Sequence, residues 1–112
     1  MMYIDFHAGD KDYKLRLATR NIVALEKQIG CNPLAIFGTG ETIPEVSIMV
    51  AVLHASLQKY EHGIDMEKAY DIFDTYLEDG HTMTDFLSVI VEIYKASGLI
   101  ANGKDKGEAE KN

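Results

Sequence analysis

Apolar and polar positions alternate at the start of the chain. Met2, Ile4 and Phe6 interleave with Tyr3, Asp5 and His7, and after Ala8-Gly9-Asp10-Lys11-Asp12 the alternation resumes with Tyr13, Leu15 and Leu17. A period of two belongs to a strand with one buried face, so the pattern predicts a β-hairpin with strands over 2–7 and 13–17. A lone hairpin is marginally stable in water, and its apolar face is expected to rest on the helices that follow. The period then changes: Ile22, Leu25 and Ile29 recur at helical spacing, with Thr19 able to cap the segment and Gly30 able to end it. Asn32-Pro33 starts a short turn over 34–37, because proline suits a first helical position. Gly38-Thr39-Gly40 reads as a flexible connection.

Three longer helical segments follow. Thr42 or Ile43 precedes Pro44-Glu45, which opens the central helix. Its main stripe is Val46, Met49, Val50, Leu53, Leu57 and Tyr60, and a second stripe, Ile48, Val52 and Ala55, lies on another side. A helix apolar on two sides needs cover on both, from the hairpin, another helix or a binding partner. Gly63 stops this segment. Asp65 begins the next, with Met66, Ala69, Tyr70, Phe73 and Leu77 on one face, Glu67, Asp71, Asp74 and Glu78 on the other, and Gly80 at its end. Thr82 or Thr84 caps the last helix, where Phe86, Leu87, Ile90, Val91, Ile93 and Tyr94 form a wide apolar surface. Gly98 and Leu99 close it, with Leu99 expected against Tyr94. The expected fold is mainly α with a short N-terminal β-hairpin, an α+β chain built as a compact bundle of about four helices in one domain over 1–100. Residues 101–112 are polar and are expected to form a disordered tail.

Composition narrows the function. A chain of 112 residues with 46% apolar residues suits one core. Eighteen acidic against eleven basic residues give a net charge of -7, which disfavours phosphate backbones and anionic membranes as partners. The longest apolar run, Val46 to Leu57, is shorter than the roughly 20 residues that cross a bilayer. The single cysteine allows no internal disulfide, and no segment reads as a signal peptide, so a reducing cytoplasm is the expected compartment.

Candidate chemistry is sparse. Cys31 follows a helix end, whereas a nucleophilic thiol gains most from a helix N-terminus and a nearby base; its expected place is a structural one, turned back toward Leu25 or Glu26. Glu67, Asp71, Asp74 and Glu78 form an acidic stripe, but no Glu-x-x-His or His-x-x-x-His pair accompanies it, and a solvated face is expected. Placing Gly80 as the turn glycine of a calcium loop puts Leu77 and Phe86 at ligand positions, which excludes an EF-hand. His54 sits among aliphatic residues without a partner at helical spacing. No phosphate loop, nucleophile elbow or paired-cysteine zinc motif occurs. Catalytic residues, cofactors and metals are therefore not expected, and neither helix that could enter a DNA groove carries a basic surface.

The order of blocks is more telling than any motif. "YKLRLATRNIVALEKQIGCNPLAIF", "IPEVSIMVAVLHASLQKYEHGI" and "AYDIFDTYLEDGHTMTDFLSVIVEIYKASGL" together resemble the small tail assembly chaperones of long-tailed bacteriophages and prophages of Gram-positive hosts. Leu15-Arg16, Leu25-Glu26-Lys27 with Gly30 and Asn32-Pro33-Leu34, Leu57-Gln58-Lys59-Tyr60 with His62-Gly63, Tyr76-Leu77-Glu78-Asp79-Gly80 and Ser97-Gly98-Leu99 carry the resemblance. It implies a non-enzymatic protein of the host cytoplasm that binds and solubilises the tape-measure protein, helps recruit tail-tube subunits and is not retained in the virion. It also implies, in many such families, a second and longer product made by a frameshift near the end of this frame. Holding another helix calls for a groove that accepts i, i+3, i+4, i+7 anchors, and the expected groove residues are Ile48, Val52, Ala55, Tyr60, Tyr76 and Ile93, which flank the core stripes. The alternative is a self-associating helical adaptor without a chaperone role.

Overall fold

The computed structural model describes residues 2–37 and 43–101. Strands β1 (Ile4–Ala8) and β2 (Lys11–Leu15) form an antiparallel hairpin in the register Ile4 to Leu15, Phe6 to Tyr13 and Ala8 to Lys11. The hairpin is tighter than the sequence pattern suggests. Ala8 and Lys11 pair, leaving only Gly9-Asp10 as the loop, with Gly9 at a φ of +66°. Asp10 keeps a negative φ, so the turn is of the kind that needs glycine at its first central position and matches the strand twist. Phe6, Ala8, Tyr13 and Leu15 face inward, while Asp5, His7, Asp12 and Lys14 face water.

Helix α1 spans Thr19–Ile29. Its N-cap is Ala18, one residue before the expected cap, and the Asn21 side chain supplies the local acceptor by taking the Ala18 N–H at 3.0 Å. Gly30 ends the helix in the left-handed conformation, as its position predicts. A 3-10 helix, Pro33–Phe37, follows; the Asn32 side chain accepts the Leu34 N–H at 2.9 Å. The expected flexible connection Gly38-Thr39-Gly40, and Thr42, lie outside the described residues, as does the tail after Ala101.

Helix α2 (Val46–Leu57) begins after the N-cap Glu45 and stops before Gly63 is reached. The Gln58 amide donates to the carbonyl oxygens of His54 and Ile64 at 3.1 and 2.7 Å, closing the last turn and drawing in the next segment. Tyr60 therefore belongs to the turn and not to the helix. The choice of cover for the second stripe resolves within the molecule: α2 is packed by α1, α3 and α4 and by β2, and Met49 to Leu53 are all buried. Helices α3 (Met66–Glu78) and α4 (Met83–Ser97) carry the caps that their sequences announce. Asp65 accepts the Lys68 N–H at 2.9 Å; Thr82 and Asp85 exchange side-chain and backbone hydrogen bonds at 3.0 and 2.9 Å. Beyond α4, Gly98 is left-handed and the Leu99 N–H reaches the Tyr94 carbonyl at 2.9 Å.

Where the hairpin meets α3 and α4, Phe6, Phe73, Tyr76 and Phe86 form an aromatic cluster with centroid separations from 4.9 to 5.9 Å in its closest pairs. Burial of each such ring contributes about 1.5–3 kcal/mol before edge-to-face contacts are added. At the other end of the core Tyr94 is fully buried, and its hydroxyl donates to the Pro33 carbonyl at 2.8 Å. Burial, and secondarily the negative charge of Cys31 once it is ionised to the thiolate, push this phenol well above the ordinary tyrosine value.

Candidate functional site

The six expected groove residues do not form one surface. Val52, Ala55, Tyr76 and Ile93 are core side chains, at most 4% exposed, because α1, α3, α4 and β2 pack around α2 and leave only its first turns partly open. Tyr76 packs inward, tilted, against Phe6 and Phe73 and stacks outward on the His81 ring, 4.3 Å away and nearly parallel. Ile48 is half-buried on the first turns of α2. Tyr60 is exposed in the turn after α2 and meets Tyr3 edge-on at 5.6 Å, with the Lys14 ammonium 4.9 Å from the Tyr3 ring centre. Only Ile48 and Tyr60 thus offer side-chain surface.

Three of the concavities on the surface of the described residues bear on a candidate site. A small notch, about 160 Å³, lies between the hairpin turn and α3, lined by Gly9, Lys11, Lys68, Asp71 and Thr75 among others. An open polar cleft of about 640 Å³ lies at the start of α1, where Thr19, Arg20 and Asn21 approach Gln58, Lys59 and His62. The third, about 260 Å³, is a groove at the junction of α1, α2 and α3. Ile29, Ile48, Ala51, Met66 and Tyr70 form its apolar lining; Gln28, Glu45 and Ser47 complete it.

This third groove is built by three local features. Gly30 ends α1 just after Ile29, leaving Ile29 at the lip. The N-cap Asp65 starts α3 at Met66, so Met66 and Tyr70, one turn apart, share a face. The Gln28 amide lies 3.4 Å from the Met66 sulfur and ties the ends of α1 and α3 together. Tyr70 stands 41% exposed although it lies on the apolar side of α3, at the edge of the buried arc Ala69, Ile72, Phe73 and Tyr76. Sequence periodicity assigns Tyr70 to that face; its place at the rim follows only from where α1 ends and α2 begins.

The residues singled out for chemistry are placed as follows. Cys31 is exposed in the turn after Gly30, and not tucked against α1 as expected; the 3-10 helix that follows puts Pro33 and Ile36 inside in its stead. Glu67, Asp71, Asp74 and Glu78 are all exposed along α3. Among the described residues no group of three or more His, Cys, Asp or Glu stands close enough to hold a metal ion. No described helix is long and apolar enough to cross a membrane.

A family model covers nearly all of this architecture, matching residues 4–112. The chain belongs to DUF6096, a family of unknown function. No curated protein and no solved structure matches it. The DUF6096 match takes in both strands, all four helices and every residue of the groove.

Proposed function

We propose that this DUF6096 member is a non-enzymatic phage tail assembly chaperone, which binds and solubilises the tape-measure protein in the bacterial cytoplasm and helps recruit tail-tube subunits. The observation that carries the reading on the structural side is the groove at the α1–α2–α3 junction, where Tyr70, Met66, Ile48 and Ile29 present apolar surface to a helical partner. The sequence resemblance supports it from a separate direction. Two of the blocks that carry that resemblance meet in space: Arg16 donates to the Ala96 carbonyl, and the Leu17 N–H to the Ser97 hydroxyl, both at 2.8 Å.

The test is co-expression of the tagged protein with its neighbouring genes, followed by capture, mass spectrometry and a solubility assay. The expected result is recovery of a long helical chain that is soluble only in the presence of this protein. Recovery of the protein alone would refute the reading and favour a self-associating adaptor, which equilibrium sedimentation would then register as concentration-dependent mass.

A further inference from the structure

The groove at the α1–α2–α3 junction is small. At about 260 Å³ it falls below the roughly 300–1,000 Å³ of sites that enclose small molecules, and it suits one or two apolar side chains projecting from a partner. Its surroundings carry one sign of charge. Glu45 stands in the lining. Glu67 and Asp74, members of the acidic stripe, sit three residues before and four after Tyr70, roughly 60° and 40° around α3 from it at 100° per residue, so they border its exposed side, and Glu26 sits three before Ile29 on α1. All four carboxylates are exposed, and among the described residues none has a basic nitrogen within 4.0 Å.

The nearest cations in sequence point elsewhere. Lys68 lines the notch beside the hairpin, and Lys27 lies roughly 200° around α1 from Ile29 at 100° per residue. A groove of mixed lining, with Ile29, Ile48, Ala51, Met66 and Tyr70 as its apolar part, Glu45 in its wall and further unpaired carboxylates on the adjoining turns of α1 and α3, is complementary to an apolar anchor flanked by ammonium or guanidinium groups, and it repels an acidic partner.

We infer that the groove takes an amphipathic helical segment whose aliphatic or aromatic row, at i, i+3, i+4 and i+7, is flanked by lysine or arginine. This rests on the proposed chaperone reading and names the chemistry of the partner at that site. The anchor enters between Ile29, Ile48 and Met66 and lies on Tyr70. Flanking cations pair with Glu45, Glu67 and Asp74. Steering by these charges makes association fast and salt-sensitive, while the apolar contact sets the lifetime.

The experiment uses the full chain and two designed helical peptides of equal length, each with leucine along one face, one flanked by lysine and the other by glutamate. Binding is followed by fluorescence anisotropy at low and moderate salt, and the site by methyl NMR of the methionines and isoleucines. The lysine peptide is expected to bind at least tenfold more tightly and to shift Met66, Ile48 and Ile29. Tyr70→Ala, at an exposed position, is expected to weaken it about tenfold, the size of a single anchor contact. Glu67→Lys with Asp74→Lys is expected to weaken it and flatten the salt dependence.

Shifts confined to other residues, or unchanged affinity in Tyr70→Ala, would overturn the inference as mere attraction to an acidic protein. The two readings separate cleanly. Groove binding of the lysine peptide without capture of a tape-measure chain keeps the groove and removes the tail role. Capture that survives Tyr70→Ala keeps the tail role and removes the groove.

Discussion

At the scale of single residues, Gly9 shows how one position joins local conformation to tertiary contact. Its φ of +66° suits the hairpin turn, its N–H donates to the Asp79 carboxylate at 2.7 Å, and a β-carbon there would stand 3.0 Å from the Thr75 methyl. Gly63 has φ +86° with nothing within 4 Å. Gly9→Ala should therefore cost about 2 kcal/mol, strain plus crowding, and Gly63→Ala about 1 kcal/mol, strain alone. Equal shifts in urea midpoint would mean that the hairpin turn does not press on α3.

Beside Gly9, the Asp12 carboxylate lies 2.7 Å from the His7 ring nitrogen, and this hydrogen bond, helped by the charges of Asp12 and Asp79, raises His7 above its ordinary 6.5. A raised histidine contributes stability that is fully present below about pH 6.5 and fades as pH rises through the raised value. The pair is exposed, so the effect on stability is small, but NMR titration should find His7 above 6.5 and find it lowered in Asp12→Asn. A titration unchanged by Asp12→Asn would show that the pair does not persist in water.

At the scale of elements, the sequence announces most of the starts and stops. Gly30, Asp65, Thr82 and Gly98 act where their residue types predict, because caps are satisfied by atoms a few residues away. Long-range partners carry no such local signature. Arg16 is one: its guanidinium donates to the Met2 carbonyl at 2.6 Å and the Ala96 carbonyl at 2.8 Å, fastening the segment before β1 to the last turn of α4. A cation at a helix C-terminus also meets favourable polarity there. Arg16→Ala should cost about 1.5–2 kcal/mol, the lower part of the range for charged hydrogen bonds because the group is part-exposed. Hydrogen exchange should show the amides of residues 94–98 losing protection first; uniform loss along the chain would mean that Arg16 acts only through general stability. The hairpin was similarly half legible: alternation identifies its inward face, but the pairing of Ala8 with Lys11 depends on the turn geometry of Gly9. Helix α2 ends before periodicity predicts, and the contact that follows its end, the Gln58 amide donating to the Ile64 carbonyl, has no periodic signature.

At the scale of the molecule, the same limit explains the candidate site. Two apolar stripes on α2 state that two sides need cover, and they cannot state whether that cover is part of the chain. Here it is: Val52 is 0% exposed, enclosed among the other elements, whereas Tyr70, which the sequence places with the core, borders the groove. The pair therefore separates folding from binding. Val52→Asp buries a carboxylate without a partner, a penalty of several kcal/mol set against a total stability of about 5–15 kcal/mol for a domain. It should abolish the cooperative melt. Tyr70→Asp adds the same charge at the surface and should melt within about 0.5 kcal/mol of the parent while losing the lysine-flanked helix, since it removes the ring on which the anchor lies. Circular dichroism melts of the two variants decide the matter: a folded Val52→Asp protein would mean that α2 is open to a partner on its second face, and an unfolded Tyr70→Asp protein would mean that the rim of the groove belongs to the core.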